Sequence, residues 1–391
     1  MTMLYKSASG RDVTHGSSSS LDTFKLCRRK FKLSRIDGWK QKARKASLEV
    51  GKCLESALQF YYENGCKPDD FADEWKRLWL KFESIELVYT EQETDWRTIY
   101  TLGTEWARLF HVIHESLPIR NPKWQLQFSK ELWPGDPSYG GLSFLAYIDI
   151  LSTLQDGSRL LVDVKTAKSA LPVTSGMMAL DGQLRKYAWV SGIREVAFLN
   201  FVKCDPFSFR KGVEVTLLDD TRDWTAGQQL TVAKYSAAKD ESPELMLLGT
   251  YQTVQIMDSE LDLISGKGTK ERTEALFAAY LADGRLCAVA KSSVTKAKIQ
   301  FVRGTIPEKD LPEIGQQIGL DTIGIKTAND TGFYPKDGGV RFPNAICGWC
   351  EMRGICLDNP ALVEELLVQI KPTKPEEEID WLTELENEDG E

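Results

Sequence analysis

The sequence predicts an α/β protein: a mixed central sheet flanked by helices, with a helical region before it and a cysteine-bearing loop after it. Three observations carry that prediction. Helix-like stretches dominate from Leu21 to Leu117. From Trp124 the apolar period shifts to two, and strand-like and helix-like segments then alternate through Leu218. Finally, Cys27 stands alone near one end, while Cys347, Cys350 and Cys356 are spaced C-x2-C-x5-C near the other.

The elements follow in order. Residues 1–20 are polar and read as a flexible N-terminus, with no apolar core like that of a signal peptide. Leu21 to Ile36 reads as one helix, with Leu21, Phe24, Cys27, Phe31 and Leu33 turned inward. Ser47 suits the N-cap of a second helix through Leu58 and Tyr62, which Gly65 ends. Two more helices are expected near Asp70–Leu87 and Asp95–Leu117, completing an N-terminal helical region over 21–123.

A core over 124–220 follows. Trp124–Leu132, Leu142–Leu151 and Arg159–Val164 read as strands, the last two joined through an Asp156-Gly157 turn. Leu180–Val190 reads as helix, and Val196–Val202 and Gly212–Leu218 as strands. Residues 221–342 match no motif and are taken as an insertion or a C-terminal helical region. Within them Trp224–Lys239 and Glu271–Ala282 read as helices, Thr295–Gly304 as a strand and Lys326–Val340 as a loop. The cysteine loop and a short helix, Ala361–Ile370, fill 343–370, and an acidic tail fills 371–391.

Composition narrows the classes. Of 391 residues, 42% are hydrophobic and 27% charged, ordinary for a soluble globular chain. No apolar run approaches the roughly 20 residues that span a bilayer. The eight irregularly spaced cysteines suggest a reduced, cytoplasmic protein with a metal site rather than a disulfide framework. The net charge of −8 argues weakly against a nucleic-acid partner, but its distribution argues the other way. Lys25 to Lys45 carries ten bases against one acid, and Pro375 to Glu391 carries nine acids and no base. That asymmetry points to a polyanion partner, with the tail a candidate docking segment for another protein.

The chemistry centres on Leu160-Leu161-Val162-Asp163-Val164-Lys165-Thr166. Strand alternation puts Asp163 and Lys165 on one face and Leu160, Val162 and Val164 on the other. A hairpin through Asp156-Gly157 brings Asp149 next to Asp163. Two carboxylates held close repel, so such a site favours a divalent cation such as Mg2+. A cation there can polarise a phosphate and acidify a water, and a lysine beside it can orient that water or neutralise growing charge. On the next helix, Gln183 and Tyr187 lie four apart, on one face. His111 and His114 lack a carboxylate partner in sequence and read as structural.

Asp149, Asp163-Val164-Lys165 and Gln183-x3-Tyr187, in that order and spacing, resemble the PD-(D/E)XK nuclease superfamily. Thr166 after the lysine and the Q-x3-Y helix resemble its RecB-like branch. The cysteine pattern is similar to that of the subset with a 4Fe–4S cluster, the AddB-type nucleases and the CRISPR-associated adaptation exonucleases. From the residues alone, thiolates suit iron–sulfur and zinc alike. The resemblance implies a 4Fe–4S cluster on Cys27, Cys347, Cys350 and Cys356, with structural Zn2+ as the alternative. It covers residues 20–62, 140–205 and 343–358.

The resemblance implies a restriction-endonuclease-like core and a Mg2+- or Mn2+-dependent exonuclease acting on single-stranded DNA ends. The setting would be repair, recombination or phage replication. Asp149, Asp163, Lys165, Gln183 and Tyr187 become the catalytic set. Glu55, Asp149, Asp163 and the Val164 carbonyl become the cation ligands, and Arg28, Arg29, Lys30 and Lys32 the phosphate contacts. One departure is plain: Gly51-x3-Glu55 stands where the branch has Gly-x3-His. It leaves open a non-catalytic DNA-binding or scaffold protein; a branched-DNA endonuclease is the other alternative.

Overall fold

The computed structural model of the chain describes residues 2–89, 95–136, 138–171, 176–207, 213–220, 224–236, 244–249, 286–336 and 346–370. Strand β1 (His15–Ser17) runs directly into helix α1 (Ser18–Leu26). The run of serines starts the helix: Ser20 N donates to Ser17 Oγ at 3.3 Å and Ser17 N donates to Ser20 Oγ at 2.8 Å, a reciprocal cap.

The single helix expected over Leu21–Ile36 is interrupted. Cys27 is extended (φ −166°, ψ 115°), and helix resumes as Arg28–Phe31 and a π-helical turn, Lys32–Ile36. No glycine or proline marks this break. A long-range bond accompanies it, for Arg29 N donates to Pro335 O at 3.1 Å.

Strand β2 (Trp39–Gln41) leads to α2 (Ala46–Glu63), α3 (Asp70–Leu80) and α4 (Trp96–Ile113). Helix α3 stops seven residues before the expected Leu87. These three helices form a wall built on fully buried rings, among them Tyr61, Phe71, Trp75, Trp79, Trp106 and Phe110. The strand region then supplies β3 (Lys123–Glu131), β4 (Ser143–Thr153), β5 (Arg159–Ala167), α5 (Gly182–Ser191) and β6 (Glu195–Val202).

A second, five-stranded sheet comprises β7 (Glu214–Leu217), β8 (Gln229–Ser236), β9 (Glu244–Gly249), β10 (Leu286–Ala290) and β11 (Val294–Thr295). The chain closes with β12 (Lys298–Thr305), α6 (Leu311–Thr331), two short helical turns, helix Pro360–Leu366 and β13 (Leu367–Gln369).

The central sheet has six strands in the order β12-β6-β5-β4-β1, with β3 also paired to β4. It is mixed: β5 pairs parallel with β6, and β4 pairs antiparallel with both β5 and β3. The parallel pair needs a crossover, which α5 provides. One face of the sheet packs on α2, α3 and α4, and the other on α1, α5 and α6. This is the mixed α/β architecture expected, consistent with a restriction-endonuclease-like fold.

Three expectations fail for identifiable reasons. Trp224–Lys239 is not helix: Leu230, Val232 and their neighbours form β8, and a hairpin with Gly227 at φ +88° pairs it with β7. Lys326 to Thr331 is not loop but the last turns of α6, which Gly332 ends at φ +64°. Glycines dilute the helical signal of α6 because rings press against it. A Cβ at Gly315 would fall 2.2 Å from Trp189, and one at Gly319 2.6 Å from Trp133. Ala361–Ile370 changes type midway, since Leu367–Gln369 pairs with Trp39–Gln41 across the chain's two ends. The helix expected at Glu271–Ala282 and the acidic tail lie outside the described residues.

Candidate active site

The β4–β5 ladder ends at the pair Ile150–Val162. One step further, Asp149 and Asp163 stand opposite each other where the strands part. Asp149 replaces the missing ladder bond: its Oδ2 accepts from Val164 N at 2.9 Å. Asp163 is 1% exposed, and neither of its oxygens accepts a hydrogen bond of good geometry. Its close neighbour is Lys165 Nζ, 2.6 Å from Oδ2, as an ion pair.

Lys165 is held from a second side. Its Nζ donates to Gln183 Oε1 at 3.0 Å, and Gln183 Nε2 donates to the Tyr187 hydroxyl at 2.5 Å. Both residues sit on the first turns of α5, where Asp181 Oδ1 caps the helix by accepting from Gln183 N and Leu184 N at 2.9 and 2.8 Å. The spacing of four stacks them on one face. Buried Lys186, on the same helix, ties α5 to α1 through Asp22 Oδ1 at 2.6 Å and Ser18 Oγ at 3.1 Å.

The third carboxylate comes from α2. Glu55 feels both Asp149 and Asp163, and its Oε2 accepts from Gln125 Nε2 at 3.1 Å. Gln125 is a contact that reading the sequence missed. An exposed glutamine inside a strand carries no signal of its own.

The electrostatics follow from burial and crowding. Desolvation, then the charge of Asp149, raises the Asp163 carboxyl far above its ordinary range. Desolvation also raises Asp149, against the opposing Val164 N–H and Lys165. Glu55 is pushed up to about 8 by burial and then by both aspartates. For Lys165, burial pulls the ammonium down, but Asp163 and Asp149 outweigh it and the net shift is upward. The lysine is therefore held charged.

These residues fit a hard divalent cation in charge and donor type: three buried or partly buried carboxylates repel one another. As they stand, no group of three or more His, Cys, Asp or Glu side chains among the described residues is arranged to hold a metal ion.

A pH dependence follows. The folded chain keeps protons on these carboxylates that the unfolded chain releases near about pH 4. Metal-free protein should therefore be most stable, as far as this site contributes, at low pH, and lose that contribution as pH rises towards about 8, where Glu55 ionises. Urea midpoints in a chelator at pH 5 and pH 8, for wild type and Asp163→Asn, check it. The variant should show a smaller loss; an equal loss would mean the carboxylates do not repel.

Residues 15–200 match the family model of the PD-(D/E)XK nuclease superfamily. The matched segment is similar to a PD-(D/E)XK nuclease superfamily domain. It holds every residue of the carboxylate site: Glu55, Asp149, Asp163, Lys165, Gln183 and Tyr187. No curated protein matches the chain. A solved structure described as "Crystal structure of SSO0001" is similar at 12% identity over 47% of this chain and 71% of that one, with a TM-score of 0.19.

Of the other predicted residues, Cys27, Arg28, Arg29, Lys30 and Lys32 lie within the matched segment, and Cys347, Cys350 and Cys356 lie beyond it. Cys356 feels the charge of both Cys27 and Cys347, and Cys350 feels Cys356, so the chain's two ends do meet. A small core of Leu33, Met352 and Leu367 holds them, with Lys30 Nζ 3.1 Å from Glu351 Oε1. Two of the four predicted phosphate contacts thus already face acids: Lys30 faces Glu351, and Lys32 Nζ lies 2.7 Å from Asp37 Oδ1. Arg28 is exposed, with its guanidinium 5.6 Å from the Phe24 ring. His111 and His114 both bond the Tyr61 hydroxyl, at 2.8 and 3.2 Å, as structural groups. No helix among the described residues is long and apolar enough to cross a membrane.

Proposed function

We propose that the protein is a divalent-cation-dependent deoxyribonuclease that hydrolyses phosphodiester bonds from the ends of single-stranded DNA. The observation that carries this reading is the opposed Asp149–Asp163 pair at the parting of two strands, with Lys165 beside it. Glu55, Asp149, Asp163 and the Val164 carbonyl would hold Mg2+ or Mn2+. Such a cation supplies phosphate polarisation and an acidified water. Lys165, charged, would orient the attacking water and offset negative charge building on the phosphate. Gln183 fixes the lysine, and Tyr187 fixes the glutamine. Arg28 and Arg29 would take backbone phosphates, while Lys30 and Lys32 would first have to leave Glu351 and Asp37. DNA affinity should then fall steeply with salt. A role in repair, recombination or phage replication fits such an activity.

The test uses end-labelled single-stranded, duplex and branched DNA, with and without Mn2+. Metal-dependent loss from an end supports the proposal. Binding without cleavage would favour a scaffold on a nuclease fold, and cuts confined to junctions would favour a branched-DNA endonuclease.

We also propose that Cys27, Cys347, Cys350 and Cys356 bind a 4Fe–4S cluster that fastens the Arg28–Phe31 turn to the C-terminal segment. The pairing of Trp39–Gln41 with Leu367–Gln369, and the packing of Cys350 and Cys356 on the small core of Leu33, Met352 and Leu367, support it. Protein purified without oxygen should be brown, with broad visible absorbance that a chelator removes. Stoichiometric zinc in that preparation would overturn it.

A further inference from the structure

We infer that Gln125 is a positioning residue for the cation site, holding Glu55 from a strained strand. The inference rests on the reading of Glu55 as a ligand. Three observations converge on it. First, Gln125 has φ +47°, the left-handed region, and among the described residues it is the one non-glycine inside a strand to do so. Such strain persists only where the surroundings enforce it, and it gathers at functional sites. Second, its place is opposite Asp149. The β3–β4 register pairs Trp124 with Ile150 and Leu126 with Ile148, and the bridge between them is the one that is missing. Third, its side-chain amide donates to Glu55 Oε2 at 3.1 Å.

The turn at Gln125 coincides with a break in alternation. Trp124 and Phe128 share a parity, yet Trp124 packs towards the core under α2–α4 and Phe128 towards the other core. A strand that simply continued would keep both on one face. Strand β4 switches at the same level, with Ile148 in one core and Ile150 in the other, so both strands turn at the Gln125–Asp149 pair, and there the Gln125 amide reaches the carboxylate on α2. The amide offers two N–H donors and one acceptor. One N–H holds the Glu55 oxygen, and this fixes the carboxylate's orientation relative to the two aspartates.

The experiment measures Mn2+ binding by calorimetry, with urea stability alongside, on the full chain carrying Gln125→Leu, Gln125→Gly, Glu55→Gln or Glu55→Gln with Gln125→Leu. Both Gln125 variants should bind Mn2+ about tenfold or more weakly, as expected when a partner of a ligand is removed. Gln125→Gly should not lose stability, because glycine adopts this φ freely. The double variant should bind no more weakly than Glu55→Gln alone, since both act through one contact. Normal Mn2+ binding by the Gln125 variants, with Glu55→Gln weakened, overturns the positioning role alone. Joint loss of stability and binding in Gln125→Gly overturns it in favour of a structural role. Normal binding by Glu55→Gln overturns the reading of Glu55 as a ligand and this inference with it.

Discussion

Lys165→Ala should lower DNA cleavage by about 10³-fold while leaving the fold intact, the scale on which one charge-stabilising or proton-handling group acts. The lysine is partly exposed at the strand's end, so its removal opens no core cavity. Asp163→Ala should lower cleavage at least as much, but for a different reason. It removes a carboxylate that burial and the charge of Asp149 hold far above its ordinary range, so the metal-free protein should become no less stable, or more stable. The pair separates two explanations. If Asp163 were a structural acid satisfied by Lys165, its loss would leave the ammonium unpaired and cost stability. Single-turnover cleavage and urea midpoints on both variants check this. Cleavage at wild-type rate by either would remove that residue from the mechanism.

Gly103→Ala should destabilise the protein by about 3 kcal/mol. Gly103, on α4, faces the fully buried Trp75 of α3, and a Cβ there would fall 1.8 Å from Trp75 Cε2. The indole cannot easily retreat, because Trp79 stacks against it at 5.7 Å and its Nε1 donates to Tyr100 O at 3.1 Å. Overpacking costs about 1–3 kcal/mol or more, and the strained indole bond adds about 1. Better helix propensity returns about 1 kcal/mol. The control is Gly51→Ala on α2, where a Cβ meets nothing within 4 Å. It should stabilise by up to about 1 kcal/mol on propensity alone. Equal effects at the two glycines in chemical denaturation would show that the α3–α4 contact is not tight. Because α3 backs the helix that carries Glu55, Gly103→Ala should also weaken cleavage at temperatures where wild type remains folded.

Much of the site was legible because its parts are local. Asp163, Val164 and Lys165 are consecutive, so strand alternation alone sorts their faces. Gln183 and Tyr187 are one helical turn apart, so their shared face follows from the period. Asp149 needed only a hairpin, and Asp156-Gly157 announced it with Gly157 at φ +83°. The contacts that escaped are those between elements distant in sequence. Gln125 to Glu55 and Lys186 to Asp22 join side chains with no motif between them. The same limit explains the misread segments. The break at Cys27 goes with a bond from Arg29 to Pro335, and the glycines of α6 make sense only once Trp189 and Trp133 lie against them.

What the sequence by itself determined, then, is the α/β class, the succession along the chain of the main strands and the helix between them, and the identity of the opposed acids, because periodicity and turn chemistry act over a few residues. Only the tertiary structure decided that the β4–β5 ladder parts beside those acids, that Glu55 reaches them from α2, and that the chain's two ends are fastened by β2–β13 pairing. Burial is the physical reason. The raised carboxylates, the charged lysine and the tolerated strain at Gln125 all come from surroundings that the packed sheet and helices create, which no window of sequence contains.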